Sequence, residues 1–375
     1  MRIIHCADLH LDSKMTANLP PEKARERRGE LLAAFRRMTD FAVENQVTAM
    51  IIAGDLFDKK NCSVAAGNTV LGLIREHPEL EFFYLKGNHD QSQIFSEQEK
   101  AIPNLHLFSP DGWTGYSLKN TDICISGTEL TPENCSQRME ELQLDKGLYN
   151  IVVLHGQAED TYSSQTRDSA GNSSVIPMKA LRNQGIDYLA LGHIHKQEAG
   201  RLDGRGIWCY PGALEGRGFD ECGDHGCILL EVDPASRATE VRFVPLAGRR
   251  LQEITVDISR CSDSQEILRE IRKRTEQENC SPRDLLKIIL TGERELEHAV
   301  YPEYLERQLE DLFYYMKIED RSRLQVDYRS FFNDPTLKGE FVRQVKQDSS
   351  LSEEDRSKVI QLGIRLLMGA EDFED

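Results

Sequence analysis

No stretch of this 375-residue chain is apolar for the length of a membrane span, which sets helical membrane proteins aside. The opening Met1-Arg2-Ile3-Ile4-His5-Cys6-Ala7-Asp8 turns acidic too quickly, after too short an apolar stretch, to be a signal peptide. The expectation is a cytoplasmic protein with no membrane partner. Cys-x-x-Cys pairs are absent and the cysteines number nine, which argues against a disulfide framework and against a zinc ribbon. Cys222 and Cys227, with four residues between them, read as reduced structural thiols, and Cys6 as a small core residue on the first strand. There is no GxxxxGK[ST] phosphate loop, so any ATP dependence must come from another protein. Repeats and low-complexity segments are also missing. Positive charge is in deficit, 46 Lys and Arg against 63 Asp and Glu, for a net charge of −17. That predicts weak intrinsic affinity for nucleic acid unless metals and local basic groups reverse the field, or a partner supplies the binding. Part of the acidity lies at the end of the chain, where residues 348–375 hold eight Asp and Glu against three Lys and Arg. The remaining composition, 39% hydrophobic and 29% charged, is that of an ordinary globular protein with one large core and one or two smaller domains.

What the chain does contain is an ordered series of short polar blocks, each closing an apolar run that reads as a buried strand. They are Asp8-Leu9-His10 after Ile3-Ile4, Gly54-Asp55-Leu56-Phe57-Asp58 after residues 49–53, and Gly87-Asn88-His89-Asp90 after residues 82–85. His155-Gly156 follows residues 151–154, and Gly192-His193-Ile194-His195 follows residues 188–191. Loops leaving the carboxyl ends of strands in an α/β sheet converge on one crevice, so these five blocks point to a shared site. Their oxygen and imidazole donors, with no cysteine, suit two divalent ions: manganese, iron or zinc. Asp8 and His10, two residues apart, share a face if the segment is extended, as do His193 and His195. Asp55 is the candidate carboxylate to bridge two ions, and Asn88 offers a neutral carbonyl oxygen. His89 reads as a general acid facing a leaving group, with Asp90 orienting its ring. Asp58 reads as a carboxylate hydrogen-bonded to the free nitrogen of a ligating histidine.

Taken singly the blocks are weak. Asp-x-His occurs on ordinary loops, Gly-Asp at a strand end is usually a turn, and a lone histidine after an apolar run is usually a packed core residue. Gly-Asn-His-Asp and Gly-His-x-His are more specific, and all five in order leave little room for accident.

The ordered blocks resemble the calcineurin-like metallophosphoesterase superfamily. Within it the chain is similar to SbcD-type DNA repair exonucleases, especially their YhaO-like branch. That closer likeness rests on residues 7–13 (Ala-Asp-Leu-His-Leu-Asp-Ser), 53–58 (Ala-Gly-Asp-Leu-Phe-Asp), 191–196 (Leu-Gly-His-Ile-His-Lys) and 210–221 (Tyr-Pro-Gly-Ala-Leu-Glu-Gly-Arg-Gly-Phe-Asp-Glu). It covers residues 1–245 well and the remainder loosely. The resemblance implies one ion on Asp8, His10, Asp55 and His195 and the other on Asp55, Asn88, His155 and His193. It further implies in-line attack of water on a phosphodiester, with His89 protonating the leaving oxygen and Asp90 behind it, and manganese as the favoured metal. The implied fold is a four-layer α/β metallophosphoesterase sandwich, two sheets flanked by helices.

Helices are expected at residues 22–44, 64–76 and 178–184. The first carries Lys23, Arg25, Arg27, Arg28, Arg36 and Arg37, read either as a phosphate-facing stripe or, because Glu22, Glu26 and Glu30 sit among them, as a solvated face. Strands at 207–210, 227–232 and 241–246 are expected to complete the second sheet. Arg217, between two glycines, either meets a substrate phosphate or belongs to a surface loop. The expected domains are residues 1–247, the two-metal unit; 248–330, a small α/β capping domain; and 331–375, a helix pair. The capping domain should hold a strand at 253–258, a helix at 264–277, a strand at 285–290, a helix at 303–315 and an extended segment at 325–328. In the pair, Asp334-Pro335 should open the first helix and Ser352-Glu353-Glu354-Asp355 the second. By the resemblance this pair docks the coiled coil of an SbcC-like ATPase; the alternative is packing on the chain's own cap. Related nucleases also suggest a homodimer through the catalytic domain.

The sequence thus points to a metal-dependent DNA exonuclease, with endonuclease action on hairpins or ends as a further capacity. The rivals are a phosphatase or phosphodiesterase for small substrates, and a scaffold that recruits an ATPase without catalysis.

Overall fold

The computed structural model describes residues 1–15, 19–58, 63–90, 102–159, 174–295, 299–325 and 334–367. The chain divides into two compact units, Met1–Leu251 and Gln252–Asp375. Leu251 stays with the first because its carbonyl accepts a hydrogen bond from Gly223 N at 2.9 Å. Among the described residues, no helix is long and apolar enough to cross a membrane.

The first unit contains two six-stranded sheets. One is built from β1 (Arg2–Cys6), β2 (Ala49–Ala53), β3 (Glu81–Leu85), β4 (Leu105–Leu107), β13 (Gly226–Asp233) and β14 (Ala238–Pro245), in the order β14-β13-β1-β2-β3-β4. The other takes β5 (Thr114–Ser117), β6 (Ile123–Gly127), β7 (Tyr149–His155), β10 (Tyr188–Gly192), β11 (Glu198–Arg201) and β12 (Ile207–Tyr210), in the order β11-β12-β10-β7-β6-β5. A two-residue ladder joins β8 (Gln157–Ala158) to β9 (Val175–Ile176).

Period-two alternation decides the layering, because successive strand residues point to opposite faces. Ile3, Ile51, Phe83, Ile151 and Val153 pack between the sheets. Their neighbours Ile4, Ile52 and Phe82 face α1 (Pro21–Glu44) and α2 (Val64–Glu76), while Val152 and Leu154 face α3 (Cys135–Glu141) and α4 (Met178–Leu181). The result is helix, sheet, sheet, helix: the four-layer arrangement. Each fully buried Ile or Leu contributes about 1.5–3 kcal/mol relative to exposure.

Three local expectations need correction. Of the strands assigned to the second sheet, only β12 lies there; β13 pairs antiparallel with β1 and β14 with β13, extending the first sheet. The α4 segment stops at Leu181, with Arg182 extended and Asn183 at φ 62°, so the helix expected over 178–184 is a single turn. The basic residues of α1 divide: Arg25 and Arg36 are exposed, as a solvated face has them, whereas three others are tied down. Arg27 is buried, giving two hydrogen bonds at 3.2 Å to Glu215 and one at 2.7 Å to Gly216 O. Arg37 reaches Glu215 Oε1 at 2.7 Å, and Arg28 bonds Asp12. Arg27 and Arg37 clamp the helix to the segment after β12, and Arg28 ties it to the loop after β1.

In the second unit, β15 (Leu251–Asp257), β16 (Leu285–Thr291) and β18 (Tyr315–Asp320) form a three-stranded sheet, and β17 (Glu293–Glu295) pairs with β19 (Arg323–Gln325). The helix α5 (Ser264–Gln277) is capped by Asp263, whose carboxylate accepts from Glu266 N at 2.8 Å. The helix expected over 303–315 is α6 (Pro302–Leu309) alone; Met316 and Ile318 are buried on either side of exposed Lys317, a strand alternation that makes β18. Of the extended segment at 325–328, residues 326–328 lie outside the described residues.

The helix α7 (Leu337–Gln347) starts two residues after Pro335, because Asp334 accepts from Thr336 N at 2.8 Å and holds a turn there. α8 (Glu353–Leu367) opens at Ser352, whose hydroxyl accepts from Asp355 N at 3.1 Å. Val342, Ile360 and Ile364 are buried together, with Phe341 and Val345 packed against them. The remaining apolar residues of α8 turn outward: Val359, Leu362, Leu366 and Leu367 are exposed.

Candidate metal centre

β1, β2 and β3 run parallel, as do β7 and β10, and all five end at the same place. The polar blocks leave two facing sheets rather than one. Within each sheet backbone bonds join neighbouring blocks, Asp8 N to Gly54 O at 3.1 Å, His10 N to Asp55 O at 2.9 Å and Gly156 N to Gly192 O at 3.1 Å, and between the sheets His193 N donates to Asp8 at 3.0 Å. The Asp8-to-His10 segment is not extended. Asp8 (φ 52°), His10 (φ 41°), Asp55 (φ 52°) and His193 (φ 105°) all have positive φ. Non-glycine residues in this region cost on the order of 1–3 kcal/mol each and persist where surroundings over-determine them. Convergence here comes from left-handed turns and not from the shared extended face expected of Asp8 with His10 and of His193 with His195.

Close approach explains two of the glycines. A Cβ on Gly54 would lie 2.1 Å from the His155 ring, and one on Gly87 would lie 2.2 Å from Asp55 Oδ1. A side chain at either position would displace a candidate ligand.

Two clusters result, each with donor atoms within 4.8 Å of one another: Asp8, His10 and His195, and Asp8, Asp55 and His155. Asp55 Oδ2 lies 3.7 Å from His10 Nε2 and 3.4 Å from His155 Nε2, between the two groups. Asn88 Oδ1 is 3.0 Å from His155 Nε2. His193 belongs to neither cluster among the described residues; its ring packs edge-on against His155 with centroids 5.4 Å apart, and its backbone N–H donates to both Asp8 oxygens at 3.0 Å.

The donor set fits divalent cations. His10 Nε2 and His195 Nε2 face each other at 3.3 Å, and His10 Nδ1 is buried without a partner. Because His195 Nε2 presents a lone pair, His10 Nε2 either donates an N–H to it or, in the other tautomer, faces it lone pair to lone pair, where a cation would bind both. The ring tautomers agree: His155 Nδ1 is 2.9 Å from Ala53 O and His195 Nδ1 is 2.7 Å from Glu221 Oε1, so each donates there and frees Nε2. Burial, with Asp55 adding repulsion, pushes Asp8 up to about 6. Burial alone would raise Asp55 too, but His155 and His10 outweigh it and hold that carboxylate well below its usual range. Burial lowers His193 to about 4, aided by His155. Burial would also lower His155, yet Asp55 carries it up to about 9. Acids and bases are thus forced together in a water-poor space where a cation would relieve the carboxylate repulsion.

The neighbours of His89 differ from expectation. Asp90 does not orient the His89 ring: its carboxylate accepts from Phe57 N and Gly87 N, both at 2.9 Å, and is raised to about 7 by burial and by Asp55. It fixes the two loops that carry Asp55 and Asn88. The carboxylate beside His89 is Asp58, with Oδ1 3.8 Å from Nδ1, while Asp58 Oδ2 accepts from Ser13 at 3.3 Å. His89 N donates to Asp55 Oδ1 at 2.8 Å, and its ring meets His10 edge-on with centroids 5.0 Å apart.

The role expected of Asp58, backing a ligating histidine, belongs to Glu221, which sequence reasoning missed. Glu221 Oε1 takes the His195 Nδ1 proton and also accepts from Arg217 Nη2 at 3.0 Å, while Oε2 accepts from Arg217 N at 2.8 Å. Glu221 is held low: burial would raise it, but the His195 bond and Arg217 prevail. Arg217 therefore stands behind His195, partly buried, rather than on a free loop. The signal was present in the stretch over residues 210–221, but no spacing rule tied an acid 26 residues away to His195. The turn after Tyr210 does reach the site: Ala213 N donates to His195 O at 2.9 Å, and the Tyr210 hydroxyl donates to Gly156 O at 2.8 Å, bracing the strand end behind His155.

A family model described as calcineurin-like phosphoesterase matches residues 1–197. The uncharacterized metallophosphoesterase YhaO of Bacillus subtilis is 29% identical over 248 residues, covering 62% of this chain and 57% of the relative. The DNA double-strand break repair protein Mre11 of Aeropyrum pernix is 24% identical over 278 residues, 68% of this chain and 64% of the relative. The SbcD component of the nuclease SbcCD from Rhodobacter capsulatus is 29% identical over 294 residues, 66% and 69% respectively. The chain spans less than two thirds of the length of the first two of these relatives.

Proposed function

This chain belongs to the calcineurin-like phosphoesterase family, whose members hold two metal ions and act on phosphoesters, and we propose that it is a DNA exonuclease with added endonuclease capacity at ends or hairpins. The observation that carries the reading is the double cluster sharing Asp8, with Asp55 Oδ2 between His10 and His155. Asp8, His10, Asp55 and His195 would hold one ion and Asp55, Asn88, His155 and His193 the other, manganese being our choice of metal. When bound, the pair supplies Lewis acidity and an activated water for in-line displacement at phosphorus. Asp55 and Asp8 keep their oxygens turned to the clusters because His89 N and His193 N hold them. Glu221 fixes the His195 tautomer, and Asp90 ties the Asp55 and Asn88 loops through backbone N–H groups.

His89 is the residue we assign to protonation of the leaving oxygen. Its ring is half exposed and Asp58 stands beside it. Replacing His89 with Asn should lower kcat by about 10²–10⁴-fold while metal stoichiometry is unchanged. Metal lost from that variant would make His89 a ligand.

The DNA assignment leans on the relatives named for double-strand break repair and for the nuclease SbcCD. By the same likeness we assign residues 248–330 to capping, residues 331–375 to docking an SbcC-like ATPase, and the catalytic unit to a homodimer. The exposed Leu362 and Leu366 of α8 offer the apolar face such docking needs. The test is end-labelled duplex and single-stranded DNA incubated with the chain and manganese, then with chelator. Stepwise shortening that chelator stops supports the reading. Intact DNA alongside hydrolysis of bis-nitrophenyl phosphate transfers the site to small phosphodiesters or makes DNA cleavage depend on the ATPase.

A further inference from the structure

Asn88 and His155 line one side of a cleft of about 330 Å³. Lys86 and Glu129 lie on it, and Pro110, Leu130 and Pro132 supply its apolar surface. The wall at residues 129–134 is closed on itself. Thr131 N donates to Asn134 Oδ1 at 2.8 Å, Asn134 N donates to Thr131 Oγ1 at 3.2 Å, and Asn134 Nδ2 donates to Glu129 O at 3.2 Å. From the other side Arg138 Nη2 holds Pro110 O at 3.2 Å. Such a wall needs no ordering when something enters, which lowers the cost of binding.

The charges say what would enter. Lys86 is the one Lys or Arg on the cleft among the described residues, against the carboxylates of Glu129 and Glu133, with Asp90 already committed to backbone N–H groups. An acidic lining repels a second phosphate. It suits a flat group with apolar faces and N–H donors at its edge. Lys86 Nζ lies 3.2 Å from Glu129 Oε1, and that oxygen is buried, so the ion pair takes it up and leaves Oε2 as the carboxylate oxygen available to the cleft. Burial raises the Glu129 carboxyl and Lys86 only partly offsets this, so a half-desolvated acceptor faces the cleft.

Resting on the phosphodiesterase reading above, we propose that this cleft is the nucleobase subsite of the same centre and that Glu129 and Lys86 make it prefer guanine. A guanine edge presents an oxygen acceptor, a ring N–H and an exocyclic amine in a row. The ammonium of Lys86 complements the oxygen, and Oε2 of Glu129 complements the adjoining N–H donors. Thymine offers a single N–H between two oxygens and leaves a carboxylate oxygen facing an oxygen. Pro110, Leu130 and Pro132 take the faces of the ring. That edge is free in a mononucleotide or a frayed single-stranded terminus and occupied in paired duplex, so the substrate unit is an unpaired terminal nucleotide.

The test is calorimetric titration of deoxyguanosine and deoxythymidine 5′-monophosphate into the full, manganese-loaded chain. A bidentate base contact discriminates by about 1–3 kcal/mol, so guanine should bind roughly tenfold tighter. Glu129→Gln should close most of that gap, and Lys86→Met should narrow it independently, covering the case in which one variant does not fold. Equal affinities in the unaltered chain, or a gap that survives both substitutions, overturn the proposal. Cleavage of bis-nitrophenyl phosphate is measured in parallel. Cleavage without a base gap removes the subsite alone, whereas a base gap without cleavage keeps the subsite and removes the hydrolytic reading.

Discussion

Residues 1–251 and residues 252–375 are assembled from the same strands and amphipathic helices, yet they differ in what they bury. The first unit takes Asp8, His10, Arg27, Asp55, Asp90, His155, Asp187 and Glu215 out of water, whereas the second buries Thr275, Asp284 and Arg294. Buried charge is expensive unless paired. In the first unit some groups are paired and closed: Arg27 with Glu215, and Arg205 with Asp187 at 2.6 Å. The cluster of Asp8, His10, Asp55, His155 and His195 is different, because its donors face one another and His10 Nδ1 has no partner. The contrast teaches that polar burial has two uses in one fold, closure of structure and readiness for a ligand. The second unit inverts the pattern by turning apolar side chains of α8 outward.

The sharpest way to break the contrast is Asp55→Asn. Asp55 lies between both histidine groups, so losing one charge there should empty both ion positions and reduce phosphodiester hydrolysis by roughly a thousandfold or more. Metal analysis of the purified variant, alongside its circular dichroism, checks this. Full metal content with a native spectrum would mean that the cluster is not the ion site.

Glu215→Gln probes the closed kind of burial. Glu215 is the common acceptor for Arg27, Arg37 and the Gly248 N–H, with burial pushing its carboxyl up and Arg27 opposing. Removing its charge leaves Arg27 with Glu30 as its remaining carboxylate, so the loss of the charged hydrogen bonds should cost about 1.5–3 kcal/mol, read as a lower urea midpoint. The folded fraction should still bind its metals normally. A metal defect without a stability defect would merge the two uses of burial that the structure separates.

Glu221→Gln should give a smaller effect of a distinct kind. The fold is expected to hold, while metal affinity falls by about 10–100-fold because the His195 tautomer is no longer enforced. Competition with a chelator measures it. Unchanged affinity would show that Glu221 does not set the tautomer, since Arg217 Nη2, 3.0 Å from His195 Nδ1, can only donate there and would favour the opposite one.

The same difference governs how legible the chain is. Asp8, His10, Asp55, Asn88, His155, His193 and His195 can be picked out because each ends a β-strand whose apolar run is unmistakable, and strand ends in parallel sheets share one edge. The four-layer stacking follows from pairs such as Ile3-Ile4 and Val152-Val153, which must face opposite ways. The contacts of Asp90, Asp58 and Glu221 are not legible in this way, since which carboxylate meets which ring depends on loop paths with positive φ that no periodicity encodes. Strands β13 and β14 escape placement in the correct sheet for a related reason: alternation fixes a strand's faces and leaves its neighbours open. In the second unit the helix start after Pro335 slips because Asp334 holds a turn instead of a cap.

The smallest expected effect on the fold tests the other half of the comparison. Leu362 is 54% exposed on α8, while Ile360 and Ile364 face inward with Val342. A large apolar residue held in water gains the chain nothing, so Leu362→Glu should shift stability by no more than about 0.5 kcal/mol and leave metal content alone. If the outward face serves an SbcC-like ATPase, that substitution should abolish co-purification with it, since burying an unpaired carboxylate in an apolar contact is costly. A variant that loses several degrees of thermal stability would show instead that α8 packs on its own chain. One that still binds the ATPase would take the docking role away from this helix, and the outward leucines would then be surface residues of no consequence to assembly.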